Sequence, residues 1–225
     1  MEADTAKRAA GEAAAELVES GMVVGLGTGS TALWFTRALG ARARQGLRVV
    51  VVPTSAHTAA LAVEQGLDIA ELDRRGVDLA VDGADCVDPD LRLIKGAGGA
   101  LVREKIVAAA ARRFVVIIDS SKLSDQLQGQ VPVEVLPFGA ERTLTLLDGT
   151  GAQYQLRRST TGDPVVTDNG NLIADSQYQT IDDPEGLSAR LDAIPGAVGH
   201  GLFLGMADLV LVGHTDGALD RIQPR

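Results

Sequence analysis

The sequence predicts an α/β fold: a doubly wound, mostly parallel sheet domain interrupted by a smaller α+β domain. Up to about residue 125, short β-branched runs alternate with helical patterns, which implies right-handed crossovers between parallel strands. Aromatic residues make up only 3% of a chain that is 45% hydrophobic. Ala, Val, Leu and Ile must therefore fill the core, as they do in parallel sheets buried on both faces. From about residue 126 the candidate strands come in neighbouring pairs, the texture of an antiparallel sheet, and 207–212 returns to the buried-strand texture of the first half. The expected division is 1–125 with 206–225 for the larger domain and 126–205 for the inserted one.

The elements follow in order. Residues 4–19 read as an amphipathic helix with Asp4 or Thr5 as N-cap and Gly21 as its stop. Met22–Leu26 is a short buried strand, the glycine loop follows, and Ser30–Ala43 is the next helix. Leu47–Val52 is a strand stopped by Pro53, and Ser55 caps a helix over 56–65. Val77–Val81 is a third strand ending at Asp82, Gly99–Arg112 a helix and Phe114–Ile118 a further strand. In the second texture, Gln130–Leu136 is a strand in which Pro132 favours an edge or a strand start. Then come a helix over 139–148, a strand at 152–158, a turn at Gly162–Pro164, a strand near 171–174 and a helix over 184–193.

Composition excludes several function classes. The formal charge of −9 argues against nucleic acid or an anionic membrane as partner. No apolar run approaches the roughly 20 residues of a membrane span, and the N-terminus, with its acidic residues, does not read as a signal peptide. The single cysteine, Cys86, fits a reducing compartment, so a cytoplasmic protein is expected. His57, His200 and His214 have no metal-ligand spacing, and no catalytic triad or zinc motif is evident.

Chemistry concentrates in a few stretches. The run 24–32, VGLGTGSTA, is a glycine-rich strand-to-helix turn. Such a turn aims backbone N–H groups and a helix N-terminus at one spot. Thr28, Ser30 and Thr31 add hydroxyls around Gly29, which suits a phosphate or a sugar. A tight turn capped by Ser30, with no ligand, satisfies the same residues. In 81–90, VDGADCVDPD, Asp82 and Asp85 follow an apolar strand and flank Gly83 and Ala84. Carboxylates at a strand's C-terminal end bind sugar hydroxyls or move protons. A solvated acidic loop is the alternative. In 95–105, KGAGGALVREK, Lys95 precedes the flexible run Gly96, Ala97, Gly98, and a helix carrying Glu104 follows. A lysine can neutralise an oxyanion while a carboxylate moves a proton, although Arg103–Lys105 also reads as a solvated helix face. Lys122 ends the next strand. Acids, lysines and hydroxyls at successive strand ends converge on one crevice.

GLGTGSTA, VDGAD-x-VDP, LIKG-x-GGAL-x-REK and DSSKL, in this order and spacing, resemble the type A ribose-5-phosphate isomerases. PVEVLPFG, TDNGNLIAD and IPGAVGHGLFLGMADLVLVG continue the match through the second half. The resemblance implies a Rossmann-like domain with a ferredoxin-like one, and interconversion of ribose 5-phosphate and ribulose 5-phosphate without metal or organic cofactor. It implies a sugar-phosphate substrate and a homodimer, in some members a tetramer. The family's base falls on Glu104, and its substrate-contacting segments on Thr28–Thr31, Asp82–Asp85, Lys95–Gly98 and Lys122. Lys7, in the first helix, matches a further position that can reach the phosphate.

Two residues depart from that pattern. Cys86 stands where the resemblance leads to an acid, and it can place an oxidisable thiol near the site. Ala97 stands for a glycine, which is tolerated where the backbone has negative φ. Two rival readings, a non-catalytic sugar-phosphate sensor and an acyl-CoA transferase, lack their markers. The first normally carries a helix-turn-helix, and the second needs a basic groove for CoA.

Overall fold

The computed structural model describes residues 2–224. In chain order the elements are α1 (Glu2–Ala15), β1 (Val23–Leu26), α2 (Ser30–Arg44), β2 (Val50–Pro53), α3 (Ala56–Glu64), β3 (Asp68–Ile69) and β4 (Leu79–Asp82). A hairpin of β5 (Cys86–Val87) and β6 (Leu93–Ile94) follows, then α4 (Leu101–Ala109), β7 (Phe114–Asp119) and a 3₁₀ turn at Ser120–Lys122. The chain continues through β8 (Gly129–Val135), α5 (Ala140–Asp148), β9 (Tyr154–Leu156), β10 (Leu172–Tyr178) and α6 (Pro184–Asp192). It closes with β11 (Ala197–His200), β12 (Leu202–Phe203), β13 (Leu209–Gly213) and β14 (Leu219–Ile222). Contacts group these into two compact units. The first holds the chain up to Ala84, Arg103–Lys122 and the chain from Gly205; the second holds Asp85–Val102 and Leu123–Leu204.

The first unit is built on a seven-stranded sheet in the order β14-β13-β7-β4-β1-β2-β3. Its strands are parallel except β14, which pairs antiparallel with β13. This is the mixed α/β architecture, with its mostly parallel central sheet, that the alternating pattern predicts. Strands buried on both faces read as continuous apolar runs, and Phe114–Ile118 is buried throughout. Leu26, Val81, Val115, Ile117 and Leu211 from the sheet pack with Phe35 and Leu39 of α2 and with Ala10 and Ala14 of α1. From β1 the chain steps outward to β2 and β3, and β4 then starts on β1's other side. That reversal is a topological switch point, where neighbouring loops part at the C-terminal strand edge.

In the second unit β8, α5, β9, β10, α6 and β11 follow the β-α-β-β-α-β order of a ferredoxin-like fold. Their four strands pair antiparallel in the order β11-β8-β10-β9, over a core of Leu127, Val133, Leu147, Ala174, Leu187 and Leu191. Pro132 departs from its expected edge or strand-start position, because it is the fourth residue of an interior strand. The pairing explains how. The Pro132 carbonyl accepts from Gly201 N–H at 2.8 Å, so its nitrogen faces the same side, where pairing with β11 ends at His200–Val133. The bond that the proline nitrogen cannot give is replaced by one from Lys95 N–H, which takes the Gly201 carbonyl at 2.8 Å. The hairpin of β5 and β6 carries no signal in the sequence, since its strands have two residues each. Asp88 organises its turn by accepting from the N–H groups of Asp90 at 3.0 Å and Arg92 at 2.9 Å.

The first helix crosses the sheet at a tight point. A Cβ on Gly213, the last residue of β13, would overlap the carbonyl oxygen of Ala6. Both sides of that contact are backbone and neither can rotate away. Gly213→Ala is therefore expected to lose about 1–3 kcal/mol of stability, the range for overpacking a core. Urea unfolding monitored by circular dichroism reads this directly; an unchanged midpoint would mean that α1 shifts without penalty.

Candidate active site

In the first unit β7, β4 and β1 are neighbours, so the turns after Asp119, Asp82 and Leu26 lie side by side on the C-terminal edge. Helix α2 begins at Ser30 with Gly29 as N-cap, and no side chain caps it. Gly29 and Ser30 are exposed and Thr31 is buried. An uncapped helix N-terminus on this edge presents N–H donors and a partial positive charge. Ser30, read as a possible cap, is instead the first helical residue.

The loop is held from beneath by Asp82. One oxygen of its buried carboxylate accepts from Thr28 N–H at 3.1 Å and from Gly83 N–H at 2.7 Å. A Cβ on Gly27 would overlap that carboxylate, so only glycine admits Asp82 this close. The Thr28 hydroxyl turns inward, 2.9 Å from Thr54 Oγ1, 2.8 Å from Ser55 Oγ and 3.1 Å from Thr58 Oγ1. Thr58 in turn donates to the Gly27 carbonyl at 3.1 Å. Thr54, Ser55 and Thr58 thus brace the loop, a role that the sequence does not signal: it marks only Ser55, and that as the cap of α3. Thr28 serves this brace with its side chain, which leaves Ser30 as the exposed hydroxyl of the loop.

Glu104 lies in the first turn of α4 and is 3% exposed. Three residues later on the same helical face, Val107 packs against Gly25 of β1, where a Cβ would come within 2.5 Å of its methyl. The chain after the helix pairs with Val77 at the start of the β4 segment, through Val77 N–H to Ala110 O at 3.1 Å. Helix α4 therefore runs antiparallel to the strands, and its first turn, with Glu104, lies toward the C-terminal edge. Lys122 ends the 3₁₀ turn after β7 and is half-buried. Lys7 follows Ala6, whose carbonyl meets Gly213 beside Asp119, the last residue of β7. Asp82, Gly83, Ala84, Glu104, Lys122, Lys7 and the 28–31 loop are thus placed on one edge of the first unit.

Asp85, Lys95, Gly96, Ala97 and Gly98 belong to the second unit. There the loop 95–99 is held at every step. Lys95 N–H donates to the Gly201 carbonyl at 2.8 Å, and Ala97 N–H donates to Asp85 Oδ2 at 3.0 Å. Arg157 Nη1 donates to the carbonyls of Ala97 at 2.8 Å and Gly96 at 3.3 Å. The Lys95 side chain is 2% exposed, with its ammonium 5.4 Å from the centre of the Phe203 ring, a cation–π distance. Among the described residues, no group of three or more His, Cys, Asp or Glu is arranged to hold a metal ion. His200 is a core histidine: its Nδ1 accepts from Leu202 N–H at 3.2 Å, and its Nε2 lies 3.2 Å from Asp192.

The sequence profile described as "Ribose 5-phosphate isomerase A (phosphoriboisomerase A)" matches residues 50–217. The chain belongs to the ribose 5-phosphate isomerase A family. A ribose-5-phosphate isomerase A of Roseiflexus castenholzii is 52% identical over 219 residues, covering 95% of this chain and 94% of its own. That of Haloarcula marismortui is 51% identical, covering 97% and 96%. Among solved structures, a D-ribose-5-phosphate isomerase in complex with phospho-erythronic acid superposes with a TM-score of 0.92 at 41% identity, over 96% of this chain and 97% of its own. The Plasmodium falciparum ribose 5-phosphate isomerase gives 0.92 at 35% identity, over 99% of each.

The two departures from the isomerase A pattern have structural accounts. Ala97 is not among the residues with positive φ, whereas Gly96 at +105° and Gly99 at +80° are, so the extra methyl sits where alanine is allowed. Cys86 is buried on β5, and that burial pushes its thiol pKa up, with a backbone hydrogen bond at Gln128 opposing the shift more weakly. A protonated, enclosed thiol is a poor nucleophile, which argues against an oxidisable sensor at this position. In native protein near pH 8, Cys86 is expected to resist iodoacetamide and to react fully once unfolded in urea. Mass spectrometry counts the alkylated fraction, and rapid native labelling would show the thiol to be open.

Proposed function

We propose that this chain interconverts D-ribose 5-phosphate and D-ribulose 5-phosphate in the non-oxidative pentose phosphate pathway of the cytoplasm. Family membership supports the substrate, as does the phospho-erythronic acid bound by a structural neighbour. The observation that carries the reading is Glu104, a carboxylate buried in a helix's first turn toward the C-terminal edge of a parallel sheet. A carboxylate held away from water is a base suited to a carbon acid. The homodimer belongs to the same proposal. Phe138, 95% exposed, and Val166, 61% exposed, are apolar side chains that such an assembly would cover.

The chemistry moves one proton between adjacent carbons. Glu104 takes the proton from carbon 2 of the open aldose, leaving an enediolate, and returns it to carbon 1 to give the ketose. A carboxylate is a weak base for this step, so the oxyanion must be stabilised as the proton leaves; Lys95 and nearby backbone N–H groups have that role. The furanose must open first, and Asp82 or Asp85 relays protons among its oxygens. Asp82 already accepts two backbone bonds, which fixes its orientation for such a relay. Lys7, Lys122 and the loop 28–31 hold the phosphate. The reaction as written needs no metal and no organic cofactor.

The deciding experiment follows ketose formation from ribose 5-phosphate by purified protein in the presence of EDTA. Turnover is expected; its absence would refute the isomerase, and loss on EDTA treatment alone would refute the metal-free route. Glu104→Gln is expected to lose at least about 100-fold in kcat, the lower end for general acid–base work. Lys95→Ala is expected to lower kcat more than it raises KM, and a loss confined to KM would remove Lys95 from oxyanion stabilisation.

A further inference from the structure

The geometry points to Arg157 as a positioning residue that aims the loop following Lys95, an inference that rests on the isomerase reading above. Arg157 follows β9, and its N–H bonds to the Ile173 carbonyl at 2.7 Å, which extends the β9–β10 register by one step. Asp175 is then its diagonal neighbour on the adjacent strand, within reach of a long side chain. The guanidinium meets that carboxylate with two bonds, Nε to Oδ2 and Nη2 to Oδ1, each 2.6 Å. Both side chains are about one-sixth exposed, at 16% and 15%. This fork leaves Nη1 pointing at the carbonyls of Gly96 and Ala97.

The consequence follows from the planarity of peptide bonds. In a trans peptide the C=O and the following N–H point in opposite directions. With the Gly96 carbonyl on Arg157, Ala97 N–H points away from it, onto Asp85. With the Ala97 carbonyl also on Arg157, Gly98 N–H must likewise point away from the guanidinium. A cation on the carbonyl side polarises both peptides and makes their N–H groups stronger donors. Ala97 and Gly98 are exposed; Asp85 takes the Ala97 N–H, and the Gly98 N–H is the donor turned away from the guanidinium on this surface of the second unit. Arg157 thus orients and strengthens backbone donors beside Lys95 without touching substrate. Lysine does not reproduce this, because a single ammonium cannot pair with two carboxylate oxygens and two carbonyls in one plane.

The test compares steady-state kinetics of wild type, Arg157→Ala, Arg157→Lys and Asp175→Asn, each at a temperature where circular dichroism shows it folded. Arg157→Ala is expected to lower kcat by about 10- to 100-fold, as a slight misplacement of the loop does, and to change KM by less than about threefold. Arg157→Lys recovers little of the loss. Asp175→Asn falls in the same direction but less, and adds nothing to Arg157→Ala, because Asp175 acts through the guanidinium. Millimolar guanidinium restores part of the kcat of Arg157→Ala and leaves wild type unchanged. A folded Arg157→Ala with wild-type kcat, a loss confined to KM, or a loss that guanidinium does not relieve would overturn the inference. Hydrogen exchange reads the loop independently of turnover. Amides 97–99 are expected to exchange faster in Arg157→Ala while those of 115–117 stay protected, and an unaltered loop would overturn the inference. Absence of turnover in wild type refutes the isomerase reading instead, and the exchange arm still decides the role of Arg157 in the loop.

Discussion

Parallel strands leave all their C-terminal ends on one edge of a sheet, and in the first unit that constraint decides where chemistry can stand. The seven-stranded sheet orders β7, β4 and β1 as neighbours, so residues distant in sequence share that edge. Antiparallel pairing would have divided them between two edges. The helices that return the chain to the opposite edge necessarily begin at this one. Their first turns therefore bring N–H groups at Ser30 and a carboxylate at Glu104 to the same place. The core of Leu26, Val81 and Val115 beneath the turns keeps that edge in register.

The second unit solves a different problem by different means. Its antiparallel sheet presents no comparable row of loop ends, and the loop 95–99 is shaped instead by polar contacts from elements far apart in the chain. Gly201, Asp85 and Arg157 each hold one part of it. A similar device fixes the turn at 167–171, where Thr167, Asn169 and Asn171 all donate to one oxygen of the buried Glu134, at 3.1, 3.0 and 2.7 Å. Charged groups that satisfy several backbone or amide partners stiffen loops that have no apolar anchor.

The legibility of the sequence follows this division. Strands β1, β4 and β7 are readable because burial on both faces requires unbroken apolar runs, and helices α2 and α3 because their starts carry Gly29 and Ser55. The edge or strand-start reading of Pro132 fails because a strand's partner can end beside a proline, and nothing local says where it ends. The hairpin of β5 and β6 escapes because two-residue strands carry no period. Thr54 and Thr58 are ordinary threonines until the fold folds them under the glycine loop, and Arg157 is an ordinary arginine until the β9–β10 register sets it diagonal to Asp175. Contacts place 85–102 with the second unit although no change of composition marks the segment. Residue types suited to chemistry are visible along a chain; the residues that hold them in place become visible only through register.

The contact between Gly27 and Asp82 also has an evolutionary meaning. Any side chain at position 27 overlaps the carboxylate, and any longer acid at position 82 would have to find room against the same backbone. Position 27 therefore cannot gain a side chain while Asp82 stays in place, and a change there must wait for one at position 82 that gives up the hydrogen bonds to the loop. A single missing methyl group closes off a path that point mutation would otherwise leave open. The glycine is a record of the aspartate.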